Sequence, residues 1–424
     1  MSERVQFRAV PACRASRRQL LRGMLVSGLV ARLWGSDRAL AAAPGVLDTC
    51  CPRRIPPPQV APVPSLADLR EGNQRAMQIA AASALVRRAR AATEELARSV
   101  PDPVLREATL ALLTNPAPTY QVRSPTLAER AAVRQQLLDA GLIPPQTTVE
   151  GIFPPVADAT QAPQAFWSAP GSVYSAHHAY PGGLAVHEWV NATLARSFVE
   201  VYNQVYGLDS PDEAIDVSIA WAAPLWHDIH KVTVMQWRAD GSELVEQIIA
   251  DTGAHHPLSG AEAIVRGLPP TFVVALLSAH DAPTTTRSNP NETGRQRLVN
   301  YLRAAAIIAR VDPVEAGLLR QLPDGSYALA QEPPRLEGYI NHLSDHDFIY
   351  TNDSLPVMVE VLERLAPAYG IEARSDRARF NLFRNLVFGQ VSDIALYGAL
   401  LRGGVEAVKT TIDRQVDLAQ LQRT

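Results

Sequence analysis

From about residue 66 onward the apolar positions recur three or four residues apart, the spacing of helices, over most of the chain. The alanine-rich segment "LADLREGNQRAMQIAAASALVRRARAATEELARSV" predicts one long helix. "PVLREATLALLTNP" and "TLAERAAVRQQLLDAGLI" predict two more, the second opened by a Thr and ended near a Gly. A loop rich in Pro, Gly and small residues leads into "HHAYPGGLAVHEWVNATLARSFVEVYNQVYG". Beyond its glycines this stretch predicts an amphipathic helix, with Leu184, Trp189, Leu194, Phe198 and Tyr202 as candidates for the apolar face. Alternation of period two is clear in "KVTVMQWRADGSELVEQIIADT", which predicts a β-hairpin turning at "DGS". Helical spacing returns in "LSGAEAIVRGL", "PTFVVALLSAH" and "RLVNYLRAAAIIARVDPVEAGLL", and residues 335–424 add several helices. The expectation is an all-α protein with one inserted β-hairpin, without internal repeats.

Composition narrows this picture. The chain has 424 residues, 47% of them hydrophobic, enough for a sizeable core and one or two domains. With no run of eighteen or more uncharged apolar residues, no transmembrane helix is expected. The N-terminal stretch "SRRQLLRGMLVSGLV", with Arg17 and Arg18, followed by the small residues of "ALAAAPG", resembles a bacterial twin-arginine export signal. Leu20 stands where Phe is commonest, and Arg32, Asp37 and Arg38 interrupt its later part. Residues 1–43 are expected to be that signal and 44–65 a proline-rich linker, including "PRRIPPPQVAPVPS". The twin-arginine machinery would then be a partner of the precursor, and the periplasm its destination.

Removing residues 1–43 takes away eight Arg against Glu3 and Asp37, so the formal charge falls from −3 to −9. An acidic chain is a poor general binder of nucleic acid, and none is expected as a partner. Cys50 and Cys51 would survive cleavage, but neighbouring cysteines seldom pair, so no disulfide framework follows.

Chemistry concentrates in "PLWHDIHKV", where His227 and Asp228 stand side by side in an apolar context. Burying an imidazole and a carboxylate is costly unless they are paired or bound to a metal. Two more such pairs exist, His280-Asp281 and His346-Asp347. Around the first pair lie His187, His256, His280 and Asp312, at successive intervals of 40, 29, 24 and 32 residues from His187 to His227 and on to Asp312. Each falls on a different helix or helix end, as when helices of a bundle aim side chains at one centre. Taken singly, each reads as an ordinary core histidine or helix-ending aspartate, so the ordered set is what carries the signal.

The order His, His-Asp, His, His, Asp resembles the two-metal subgroup of the HD-domain superfamily of metal-dependent phosphohydrolases, over roughly residues 175–320. "HHAYPGGLAVH" is similar to the start of HD domains in certain bacterial 3′-5′ exoribonucleases and conjugative relaxase proteins. The resemblance implies an HD-domain helical bundle at 166–330, a helical region at 66–165 before it, and a C-terminal helical region at 331–424 packing on it. It also implies that His187, His227, Asp228 and Asp312 hold a first metal. Asp228 would bridge to a second that His256 and His280 complete. His255 competes with His256 for that role, and the pattern "H-x-x-x-G" from His256 to Gly260 favours His256.

Imidazoles and carboxylates together suit two divalent transition ions, with Fe or Mn favoured by the hard oxygens and Zn, Co or Ni also accommodated. A pair about 3.5–4 Å apart lowers the pKa of a bridging water and clamps both oxygens of a phosphoryl displacement. Asp228 and Lys231 are the candidate catalytic residues, Lys231 to neutralise a phosphate oxygen or simply as a solvated lysine at a helix end. His177, His178 and Tyr180, before the helix of His187, are candidates for the substrate pocket or plain loop residues. His230 stands where a Gly is usual, and Asp281 where many two-metal members carry a second His. Both are assigned to the pocket rim. His342, His346 and Asp347 in "NHLSDHDF" read as structural.

The function implied is an exported hydrolase of small-molecule phosphate monoesters or diesters, with water activated by the metals as nucleophile. A diiron oxygenase acting on a polyol or phosphonate, and a non-catalytic binding protein stabilised by its metals, are the alternatives. The hairpin at 231–252, inserted between two ligand positions, is expected to act as a lid or specificity element around Asp240 and Gly241.

Overall fold

Ser83 divides the first helical segment. In the computed structural model, which describes residues 64–174, 176–208, 215–285 and 293–422, Ser83 is extended, with φ −71° and ψ 122°. It ends α1 (Leu66–Ala82) and caps α2 (Ala84–Arg98) by accepting from the Val86 amide, while its hydroxyl donates to the Gly389 carbonyl. The single long helix expected here is therefore two, because a buried serine finds better partners out of the helix than in it. The expected export leader at 1–43, and the linker up to residue 63, lie outside the described residues.

Local signals account for the next elements. Asp102 caps α3 (Pro103–Thr114), and a capping box of Thr126 and Glu129 opens α4 (Leu127–Asp139). A single turn, α5 (Val149–Ile152), follows. The longest helix, α6 (Gly183–Tyr206), runs between left-handed glycines, Gly182 at φ 91° and Gly207 at φ 65°. Its first half is buried on most sides, including Leu184, Val186, His187, Glu188 and Asn191, while Leu194 is exposed. The expected apolar stripe thus describes only part of it, since α6 enters the core end-on.

α7 (Val217–Ala222) gives way at Ala223–Pro224–Leu225 to a 3-10 turn, and a run of turns carries residues 226–230 into the short α8 (Lys231–Val234). The expected hairpin over 231–252 is largely absent. Lys231 to Val234 are helical, the "DGS" turn closes only a bridge between Trp237 and Glu243, and the paired strands are β1 (Ile248–Ile249) and β2 (Thr252–Gly253). Ala250 and Asp251, at φ 53° and 62°, form the tight turn between these strands. Nor is Asp240–Gly241 a lid. Asn381 donates to the Asp240 carbonyl at 3.1 Å and Asn385 to that of Gly241 at 2.9 Å, tying the tip to the C-terminal helices.

Then come α9 (His255–Val265), α10 (Pro270–Leu276), α11 (Gly294–Ala309), a second small hairpin of β3 (Leu319–Gln321) and β4 (Tyr327–Leu329), α12 (Leu336–Ser344), α13 (Phe348–Leu365), α14 (Arg377–Val391) and α15 (Asp393–Gln415). The protein is mostly helical, as its spacing predicts, with two small two-stranded sheets among the described residues.

One hydrophobic core runs from Ala89 to Leu329, so the segments 66–165 and 166–330 share it. A second core joins Ile79, Ala179 and Tyr180 to α13, α14 and α15. No helix among the described residues is long and apolar enough to cross a membrane.

Candidate metal centre

Asp228, at 1% exposure, is the middle of a cluster of buried imidazoles and carboxylates. The 3-10 turn at Pro224 positions it, by aiming His227 and Asp228 inward from consecutive residues. Its two oxygens face different partners. Oδ2 lies 3.3 Å from Nε2 of His187 and 3.6 Å from Nε2 of His227, and it accepts from the Lys231 ammonium. Oδ1 lies 3.0 Å from Nε2 of His255 and 3.9 Å from Nε2 of His280.

A second carboxylate, Asp345, enters from the end of α12. Its Oδ1 is 3.1 Å from His187 Nε2 and 3.2 Å from His227 Nε2, and its Oδ2 is 3.9 Å from His280 Nε2. Donors of His187, His227 and Asp228, of His227, His280 and Asp345, and of Asp228, His255 and His280 each lie within 4.8 Å of one another.

These residues fit metal ions. Ligands about 2.0–2.2 Å from one ion stand about 3.0–3.5 Å from each other, which is the range of most contacts here. Hydrogen bonding does not explain the closest of them: His255 Nε2 and Asp228 Oδ1 are 3.0 Å apart, yet both are buried without a hydrogen-bond partner. Two donors that approach without aligning on each other are aimed at a point between them.

Three of the four imidazoles are oriented from behind. Nδ1 of His227 donates to the Pro224 carbonyl at 2.8 Å, Nδ1 of His255 to Glu246 at 2.6 Å, and Nδ1 of His280 lies 2.8 Å from the Thr252 hydroxyl. A proton on Nδ1 leaves the Nε2 lone pair free for a metal. The β1–β2 hairpin, flanked by Glu246 and carrying Thr252, thus supports two of the histidines. Glu188, beside His187 in sequence, is fully buried 3.7 Å from Nδ1 of His227. Asn191, one turn further along α6, donates to Asp345 at 3.1 Å.

Without ions the cluster is held by alternating charge. Burial raises the Asp228 carboxyl, but His227, Lys231 and His255 outweigh it and hold it well below the usual range. Asp345 behaves likewise through His227 and His187. Burial depresses His227, but Asp228, Glu188 and Asp345 push it up to about 10. His187 is also raised well above its ordinary value, against its burial, first by Asp347. His280 is driven well down by burial and by the neighbouring His256 and His255.

Of the six expected ligands, His187, His227, Asp228 and His280 come together. Asp312 does not. It is exposed, and its carboxylate accepts from the amides of Val314 and Glu315 at 2.7 and 3.0 Å, closing the turn after α11. Asp345 stands in the cluster instead. His256 is also displaced: its ring stacks on His280 at 4.0 Å with 9° between planes, and its Nε2 donates to the Leu277 carbonyl at 3.0 Å. His255 is the neighbour that faces Asp228.

Among the other expected site residues, Lys231 and His177 line the cavity beside the cluster and four do not. His230 points to the opposite side, 3.7 Å from Glu262 and edge-on to Tyr120. Asp281 accepts from the Tyr301 hydroxyl and pairs with Arg297 at 3.1 Å. Tyr180 is fully buried in the second core, 6.4 Å from Phe388 ring to ring. His178 sits behind His187, 3.7 Å from Asp347. The cavity itself is about 310 Å³ and is lined by His187, Asp228, Lys231, His280 and Asp345 on the cluster side. His342, His346, Phe348 and Asn352 face them, so the two histidines read as structural border the open space.

No family model matches the chain, and neither the curated proteins nor the solved structures contain a significant match to it.

Proposed function

We propose that the chain is a metal-dependent phosphohydrolase of the HD-domain kind, acting on a small phosphate monoester or diester. His187, His227, Asp228 and Asp345 would hold one ion, and Asp228, His255 and His280 the other. The observation that carries this reading is the division of the Asp228 carboxylate, with Oδ2 toward His187 and His227 and Oδ1 toward His255 and His280. A buried carboxylate split between two sets of imidazoles suits the spacing of a metal pair.

A bound pair of divalent ions supplies an acidified water and positive charge for phosphoryl oxygens. The chain's own residues do the rest. Lys231, buried and donating to both Asp228 and the Gly171 carbonyl, keeps the bridging carboxylate in place and brings a fixed positive charge to the cavity wall. Asn352 on the far wall orients the ester's remaining group. A space of about 310 Å³ admits a small molecule and excludes a folded polymer. Export through the twin-arginine route belongs to the same proposal and rests on Arg17, Arg18 and the apolar run after them.

The test is to purify the protein without oxygen, measure its bound metals, and assay aryl phosphate mono- and diesters anaerobically beside Asp228→Ala. Turnover by the wild type alone, with about two ions at this centre, supports the hydrolase. Two irons with turnover only in air would replace it with an oxygenase. Bound metal with no turnover in either atmosphere would leave a metal-stabilised binding protein.

A further inference from the structure

His187 differs from the other three imidazoles of the cluster. Their Nδ1 atoms have hydrogen-bond partners; its Nδ1 is buried without one. Yet Asp347 Oδ1 is only 2.9 Å away and is itself buried without a hydrogen-bond partner. The two atoms are close and not aligned on each other, the same relation as between His255 and Asp228.

Two adjoining rings also carry orphaned nitrogens, and His178 turns its Nε2 toward Asp347. Nδ1 of His177 and Nδ1 of His178 are both buried without a partner, and His178 as a whole is 2% exposed. Donor nitrogens of His177, His178 and His187 all lie within 4.8 Å of one another. Their rings form a triangle with centroids 4.8 Å (His177 to His187), 5.5 Å (His178 to His187) and 5.8 Å (His177 to His178) apart. Rings whose nitrogens sit about 2.0–2.1 Å from one ion set their centroids roughly 4.5–5.5 Å apart. Two edges fall inside that range and the third lies just beyond it. Asp347 also reaches within 3.7 Å of His178 through its other oxygen.

The loop holding His177 and His178 is built to bring them here. His178 has φ 51°, and its carbonyl accepts from the amide of Gly171 at 2.9 Å. A Cβ on Gly183 would stand 1.8 Å from that carbonyl oxygen, so the loop rests directly on the first turn of α6. Three imidazoles and a carboxylate, mostly buried and short of hydrogen bonds, form a donor set typical of divalent transition ions.

We propose that a third divalent transition-metal ion binds between His177, His178 and Asp347, on the Nδ1 side of His187. This site shares His187 with the pair, but its occupancy does not depend on which reaction the pair performs. With an ion on each of its nitrogens the His187 ring is an imidazolate, so filling the third site after the pair releases the Nδ1 proton to solvent. The ion places positive charge beside the cavity that His177 lines.

The experiment is a titration of the metal-free full chain with Zn²⁺, counted by elemental analysis after dialysis, and with Co²⁺, followed by visible absorbance. Wild type is expected to retain about three equivalents, and His177→Ala and Asp347→Asn about two each, with unchanged circular dichroism. Asp228→Ala tests the pair by itself and is expected to retain about one. Equal metal content in wild type and in both His177→Ala and Asp347→Asn would overturn the third site, whatever Asp228→Ala does. Using two variants on separate elements guards against misfolding of either.

Discussion

Nε2 of His255 stands 3.0 Å from Oδ1 of Asp228, while the adjacent His256 turns the other way and bonds the Leu277 carbonyl at 3.0 Å. The two rings meet nearly at right angles, 76° apart. Neighbours on a helix point in different directions, so one of them serves the cluster and the other supports it.

Their variants separate accordingly. On the proposed function His255→Ala is expected to lose one metal equivalent and ester hydrolysis, and to destabilise the metal-free protein by leaving Asp228 and Glu246 short of a partner. His256→Ala is expected to retain both ions of the pair but to cost roughly 2–4 kcal/mol, since a fully buried ring stacked on His280 leaves a cavity. Elemental analysis and urea unfolding read the two effects; metal loss in His256→Ala alone would reverse the assignment.

Asp345 and Asp312 form a second contrast. Asp345→Ala leaves His187 and His227 with only one of the two carboxylates they share, and bound metal should fall sharply. Asp312→Ala removes only acceptors for two exposed amides, so metal content and turnover should match the wild type. Equal metal loss in both variants would argue against the centre described here.

The charges set a pH dependence for metal uptake. His227, raised to about 10, carries a proton at neutral pH in the metal-free protein, and His187 and His255 are shifted in the same direction. A raised pKa means that each proton must leave before its nitrogen can ligate. Affinity should therefore rise with pH from neutrality to about 10, and the log of the binding constant should steepen by about one for each proton displaced. Zn²⁺ titration calorimetry in buffers of different ionisation enthalpy counts the protons released, and a pH-independent affinity would contradict the alternating-charge arrangement.

Gly183→Ala is expected to destabilise the fold by roughly 1–3 kcal/mol, because its Cβ meets the His178 carbonyl and neither backbone can move far. The observable is the unfolding midpoint. A silent substitution would mean that the loop is not seated on α6.

Much of the centre is legible in the sequence because helices deliver its residues at long, regular intervals. His187, His227, Asp228 and His280 are recoverable in that way. Asp345 is not, because the β3–β4 hairpin and α12 intervene after α11, and the regular spacing points to Asp312 at the nearer helix end. The third His-Asp pair, His346-Asp347, also draws attention one residue past the carboxylate that matters. For His255 and His256 the H-x-x-x-G spacing points to the wrong neighbour, and only the rotation of α9 separates them. The break at Ser83 is hidden for another reason: its partner is the Gly389 carbonyl, which no local window includes.

Asp345 also gives the centre a direction in time. A ribosome releases the chain from its N-terminus, so His187, His227, Asp228, His255 and His280 all emerge while the last carboxylate is still unmade. Until then the growing chain carries a surplus of imidazoles over carboxylates, and any ion it captures is held by a partial shell that exchanges readily. On the proposed reading, commitment to one metal would come only when α12 docks beside α6, late enough for the supply of ions around the nearly finished chain to govern which one stays.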